Sequence, residues 1–143
     1  MSVIYGTPPT ARISGFYAGV AGLIPDSVKV YLVNVPSRPE YPYVVLWGDL
    51  GEETSEALAD VPNEMHIRFR ITYVGLTLDQ VAWVVSRVRP ALNRVKPYVP
   101  GWLPGKLRQS PLADIQADTS IKLEGGAHPL FAVDEFALSA DKF

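Results

Sequence analysis

The chain contains no cysteine, which removes thiol catalysis, disulfide frameworks and cysteine-ligated zinc together and leaves the redox compartment open. Histidine is nearly absent as well, with only His66 and His128. No stretch reaches the roughly 18 apolar residues of a membrane helix. The longest candidate, Phe16 to Ile24, carries Gly19 and Gly22 and stops at Pro25. Met1 to Thr10 lacks a basic start before an apolar block, so no secretory signal is expected and the reading is of a soluble protein. There is no GxSxG, no glycine loop ending in Lys-Ser/Thr, no HExxH and no paired Glu-x-x-His. The net charge is -2, so the surface as a whole does not hold a polyphosphate by counterion release, which argues against free nucleic acid as the primary ligand.

What is present suffices for one core. At 143 residues and 48% apolar composition, folding buries about two-thirds of the unfolded surface, and a single domain over residues 1–143 is expected. Thirteen prolines and eleven glycines among many β-branched residues predict short strands and frequent turns.

Thr10 to Ile24 has apolar residues partly at helical spacing and predicts a glycine-loosened helix within an N-terminal segment ending near residue 25. Val28 to Val33 alternates like a half-buried strand, and Pro36, Pro39 and Pro42 force an extended linker. Tyr43 to Trp47 is apolar on both faces, as a covered central strand requires. Met65, Ile67, Phe69, Ile71 and Tyr73 alternate strictly with His66, Arg68, Arg70 and Thr72 in the clearest strand of the chain. Thr77 and Gln80 have capping-box spacing, and Val81, Val84, Val85, Val88, Leu92 and Val95 then form one apolar stripe of a helix that Pro90 is expected to kink. A Pro/Gly-rich loop is expected over residues 98–111, with Tyr98 to Gly105 irregular. Ile115 to Leu123 and Phe131 to Leu138 predict a C-terminal hairpin. The order predicts a two-layer α+β fold, with helices on one face of a mainly antiparallel sheet.

Neither histidine gathers chemistry. His66 lies on the polar face of its strand beside Arg68, whose charge disfavours both a bound cation and imidazolium, so it reads as solvated or interfacial. His128 sits in a Gly/Pro turn ahead of Asp134 and Glu135. Adjacent strand residues point to opposite faces, so both carboxylates cannot converge on it. No catalytic residue, metal or cofactor is expected.

Charge is segregated instead. Asp49 to Glu64 holds six acids and no base, whereas Met65 to Arg108 holds eight bases and one acid. The bland reading is a solvated loop and a solvated helix face. The functional reading is a head-to-tail interface between copies, in which Glu52, Glu53, Glu56 and Asp60 of the acidic loop at residues 50–64 meet Arg68, Arg70, Arg87 and Arg94 of a neighbour. A fifteen-residue acidic stretch without periodicity also makes this loop the natural mobile element. Trp83 falls opposite the apolar stripe of its helix, with Arg87 one turn on for cation-π stacking, and either a neighbour or a segment of its own chain must cover it. Trp102 carries the same ambiguity, tilted towards packing within its own chain.

The run from Val28 through the proline-rich spacer to PYVVLWGDL, a polar loop, the strand MHIRFRITYVG and the helix VAWVVSRVRPALNR resembles the tail terminator, or tail-completion, proteins of long-tailed bacteriophages. The resemblance covers Val28 to Arg94, and residues 1–25 and 98–111 have no counterpart. It implies a small α+β subunit, without enzymatic activity, that forms a hexameric ring on the last ring of the tail tube and stops its growth. The implied partners are further copies of the chain, the major tail tube protein and a head-tail connector or stopper. Genomic DNA would pass through the lumen without specific binding. The implied location is the head-proximal end of the virion tail, after synthesis in the host cytoplasm. The alternatives are another neck protein, either connector or stopper, and a small non-enzymatic binding module.

Overall fold

The computed structural model describes residues 13–54 and 63–142. Along them run α1 (Ile13–Ala21), β1 (Lys29–Leu32), β2 (Tyr43–Gly48), β3 (Glu52–Thr54), β4 (Glu64–Gly75), α2 (Leu78–Leu92), β5 (Trp102–Pro104), β6 (Arg108–Ala117), a 3-10 turn (Glu124–Gly126) and β7 (Leu130–Lys142). The strict alternation in β4 puts Met65, Ile67, Phe69, Ile71 and Tyr73 into the core and leaves His66 and Arg68 exposed. β4 pairs antiparallel with β7 from Glu64↔Asp141 to Gly75↔Leu130. Its other side is shared end to end by β2 and β3. β1 lies parallel outside β2, and β5 and β6 follow one another outside β7. The sheet therefore has five columns, with β1 at one edge and β5 and β6 at the other.

Both helices cover one face. Phe16 and Val20 of α1, and Val81, Val84, Val88 and Leu92 of α2, pack with Val44, Leu46, Ile67, Phe69, Ile71, Phe136 and Leu138 in a single cluster. This is the expected two-layer α+β arrangement. The Thr77 hydroxyl accepts the Gln80 N–H at 3.2 Å, while Gln80 Oε1 reaches back to the Leu76 N–H at 2.7 Å, one residue beyond the simple capping box. α2 continues past Pro90 to Leu92. Gly19 is required by packing: a Cβ there would lie 2.6 Å from the Tyr98 carbonyl oxygen, so the bare backbone lets α1 lie against that segment.

Three expectations are corrected. The segment Tyr98 to Gly105 is not wholly irregular, because Trp102–Pro104 pairs with β7; an outermost strand bonds on one side only and so tolerates proline. The acidic loop likewise begins as a strand, with Glu52, Glu53 and Thr54 opposite His66, Met65 and Glu64. The C-terminal hairpin exists, but its first strand spans Arg108–Ala117 instead of Ile115 to Leu123. This edge strand absorbs Pro111 through register shifts that the alternation of Ile115 to Leu123 does not reveal.

Candidate functional site

The helix-free face of the sheet divides into an apolar half and a charged half. In the apolar half, Tyr43, Val45 and Val74 are buried without touching the main core, and Tyr31, Tyr41, Trp47 and Phe131 pack around them. Two parallel neighbours such as β1 and β2 need a crossover, and here the proline-rich linker supplies it. Val33, Val35, Pro36 and Pro39 of that linker wall a hollow of about 700 Å³ whose floor is Tyr43, Val45, Trp47, Val74 and Phe131. Trp47 Nε1 donates to Thr72 Oγ1 at 2.9 Å, and the Tyr31 and Tyr41 rings each stand 5.3 Å from Tyr43. Burial, with the neighbouring Tyr41 and Tyr31, pushes the Tyr43 hydroxyl up to about 12. The sequence signal for the hollow was β2 being apolar on both faces.

In the charged half, the Arg70 guanidinium stacks on Trp47 at 5.3 Å and lies 3.4 Å from Glu135, which Arg68 also approaches at 3.9 Å. The sequence reading offered Arg68 and Arg70 to a neighbour; the structure brings them together on a carboxylate of their own chain. His66 sits directly across from Ser139, with Nδ1 2.9 Å from Ser139 Oγ, and Nε2 is 3.6 Å from Glu64 and 3.3 Å from Thr54 Oγ1. The order Ser-His-Glu echoes a proton relay, but the imidazole is half exposed on an open strand pair and the nearby Gly105 amide already donates to the Ser139 carbonyl. It reads as a polar cross-strand pair.

The most tightly held polar group is Asp134, on the helix face. Its carboxylate accepts from Arg89 Nε at 2.6 Å, Arg89 Nη2 at 2.9 Å, the Tyr73 hydroxyl at 2.7 Å and Gln109 Nε2 at 3.3 Å. Burial and the Asp134 charge push the Tyr73 hydroxyl well above its usual range. Four elements are thereby pinned at one point, a role that no sequence pattern announced. Asp134 and Glu135 do face opposite sides, as alternation requires, and His128 donates from Nδ1 to the Ile121 carbonyl at 2.6 Å. Among the described residues, no three metal-ligating side chains converge, and no helix is long and apolar enough to cross a membrane.

Further charges sit at the sheet edges. Glu52 and Glu53 are exposed on β3. Arg94, Lys106 and Arg108 are exposed beside β6 and line one hollow of about 860 Å³. Paired backbone bonds hold the three cations together: Arg94 N–H to the Leu107 carbonyl at 2.8 Å and Leu107 N–H to the Val95 carbonyl at 2.9 Å. The sequence reading named Arg94 without its two companions. Trp83 is 37% exposed beside Pro42, Asp79 and Gln80, and the Arg87 guanidinium stands 5.3 Å from its ring. Trp102 is buried, edge-on to Phe16 at 5.2 Å, so it belongs to the core and not to an exposed contact surface. Glu56 and Asp60 lie outside the described residues.

No family model and no curated protein matches this sequence. A solved structure does share the fold. It is a chain described as "Virion of native gene transfer agent (GTA) particle", similar over 87% of this chain and 84% of that one, with a TM-score of 0.56 and 15% identity. The similarity is one of fold.

Taken by its chemistry, the surface offers recognition in three forms: an aromatic hollow, an acidic strand and a basic hollow.

Proposed function

We propose that this chain is a structural protein of a phage-like virion, and that within it the chain acts as a tail terminator. Copies form a ring, with six subunits as in the family it resembles, on the last ring of the tail tube. The opposite face of the ring meets the head-tail connector or stopper. The observation that carries this reading is the fold shared over most of both chains with a component of a virion particle. It is supported by where the polar groups are spent: Asp134, Arg89 and Tyr73 on internal anchoring, and Arg68, Arg70 and Glu135 on one another. Function then rests on fit. A subunit that mates with the tube through one surface and displays another on its far side ends growth, because no further tube surface is presented.

Electron microscopy of purified particles with this chain labelled tests the reading. Label at the head-proximal end of the tail, in ring-like density next to the tube, supports it. Label on the portal side of the neck favours a connector or stopper, and absence from particles overturns a virion role.

The aromatic hollow favours a second reading, a small non-enzymatic binding module. Thermal stabilisation by a panel of small molecules, together with a monomeric mass at high concentration, would select it.

A further inference from the structure

The acidic strand and the basic hollow occupy opposite edges of the same end of the sheet. At that end the columns run β3, β4, β7 and then β5 with the start of β6. Three strand spacings separate the outer two, roughly 14 Å. One copy therefore cannot close its own acids onto its own bases. Glu52 and Glu53 make no ion pair among the described residues, and neither do Arg94, Lys106 and Arg108. Every residue lining the basic hollow is neutral or cationic, with Asn93, Gln109 and Ser139 beside the three cations.

We propose that the hollow bounded by Arg94, Lys106 and Arg108 receives the Glu52-Glu53 edge of a second copy of this chain, head to tail. The inference rests on the self-assembly part of the proposed function and names the contact. Charge complementarity selects the occupant: the far edge carries two exposed carboxylates with no ion pair among the described residues, opposite in sign to the three clustered cations. Of the other cations that the sequence reading offered to a neighbour, Arg68 and Arg70 are engaged with Glu135 and Arg87 with Trp83. The contact is heterologous: each copy gives an acidic edge on one side and takes one on the other, so it is satisfied throughout only when the ring closes. Exposed charges form it, so salt weakens it, screening acting over about 8–10 Å.

The cysteine-free chain permits a direct test by cross-linking. In the E53C/K106C variant of the full chain the two thiols lie on opposite edges, beyond the roughly 7 Å Cα reach of a disulfide within one copy. Mild oxidation at low salt should give a ladder of covalent multimers beyond the dimer, suppressed by about 0.5 M salt. The single-cysteine variants should stop at dimers. E52K/E53K and R94E/K106E/R108E should each weaken self-association about tenfold or more. Mixing the two reversed proteins in equal amounts should restore it, since each then carries the charge the other lacks. Dimers alone from the double-cysteine variant, or reversals that leave association unchanged, overturn the contact. A failed ladder with normal incorporation of the chain into particles removes this contact and leaves the virion reading standing. A salt-sensitive ladder from a chain that particles never contain does the reverse.

Discussion

Arg89 grips the buried carboxylate of Asp134 with two nitrogens at once, Nε at 2.6 Å and Nη2 at 2.9 Å, so the last turns of α2 are fastened to the interior strand β7. The geometry is bidentate, with Asp134 nearly inaccessible and the Arg89 side chain 44% exposed.

Removing the guanidinium strands a charge inside the protein. R89M should destabilise the fold by about 3 kcal/mol, the lower end of what breaking a buried pair costs, because Arg89 itself is partly solvated. Urea unfolding at neutral pH measures this. D134N keeps one oxygen for the Tyr73 hydroxyl and Arg89 Nε, turns an amide N–H towards Arg89 Nη2, and leaves no buried charge, so it should lose less.

The tyrosine cluster predicts alkaline lability. The Tyr43 hydroxyl ionises at about 12 in the folded chain and near 10 when unfolded. Between those values the native state retains a proton that the unfolded chain has shed, so stability falls as pH rises through this window and is fully present below it. Unfolding curves from pH 8 to pH 12 should show that decline, and Y43F should make it shallower, with the raised Tyr73 hydroxyl contributing to the remainder and little change at pH 8.

Gly19 makes a packing prediction opposite to helix propensity. G19A improves propensity by up to about 1 kcal/mol but drives a methyl onto the Tyr98 carbonyl. A net loss of about 1–2 kcal/mol is expected. A rise in melting temperature would show that the 98–99 segment moves aside freely.

Trp83 separates folding from assembly. Its ring is partly exposed and its stack with Arg87 is worth about 0.5–1 kcal/mol. W83A should change unfolding free energy by less than about 1 kcal/mol while lowering incorporation into particles, read by labelling intensity. Unchanged incorporation would remove Trp83 from any contact surface.

Regular patterning made much of the fold legible. Five alternating residues marked β4, the stripe from Val81 to Leu92 marked α2, and the doubly apolar Tyr43 to Trp47 marked β2 as an interior strand. Edge strands were less visible, because a strand bonded on one side needs neither burial nor strict alternation. β3 therefore read as loop, β5 as an irregular proline-rich stretch, and β6 was placed too late. The charged surfaces were half legible for a related reason. Sequence shows that acids and bases are segregated, but only the register shows that Glu135 stands beside Arg68 and Arg70, and that Lys106 and Arg108 join Arg94. The Asp134 anchor joins four elements far apart in sequence, so no local spacing could have disclosed it.

Pro111 brings no amide hydrogen to the β6 border, and the register shifts on either side of Ala113 break that border into short, misaligned pieces. A stray polypeptide therefore finds no continuous template on which to zip, and runaway fibre growth is discouraged at the flank where the cations cluster. Whatever docks beside Arg108 is recognised by its side chains and not by backbone alone, which favours a countable assembly over an endless one.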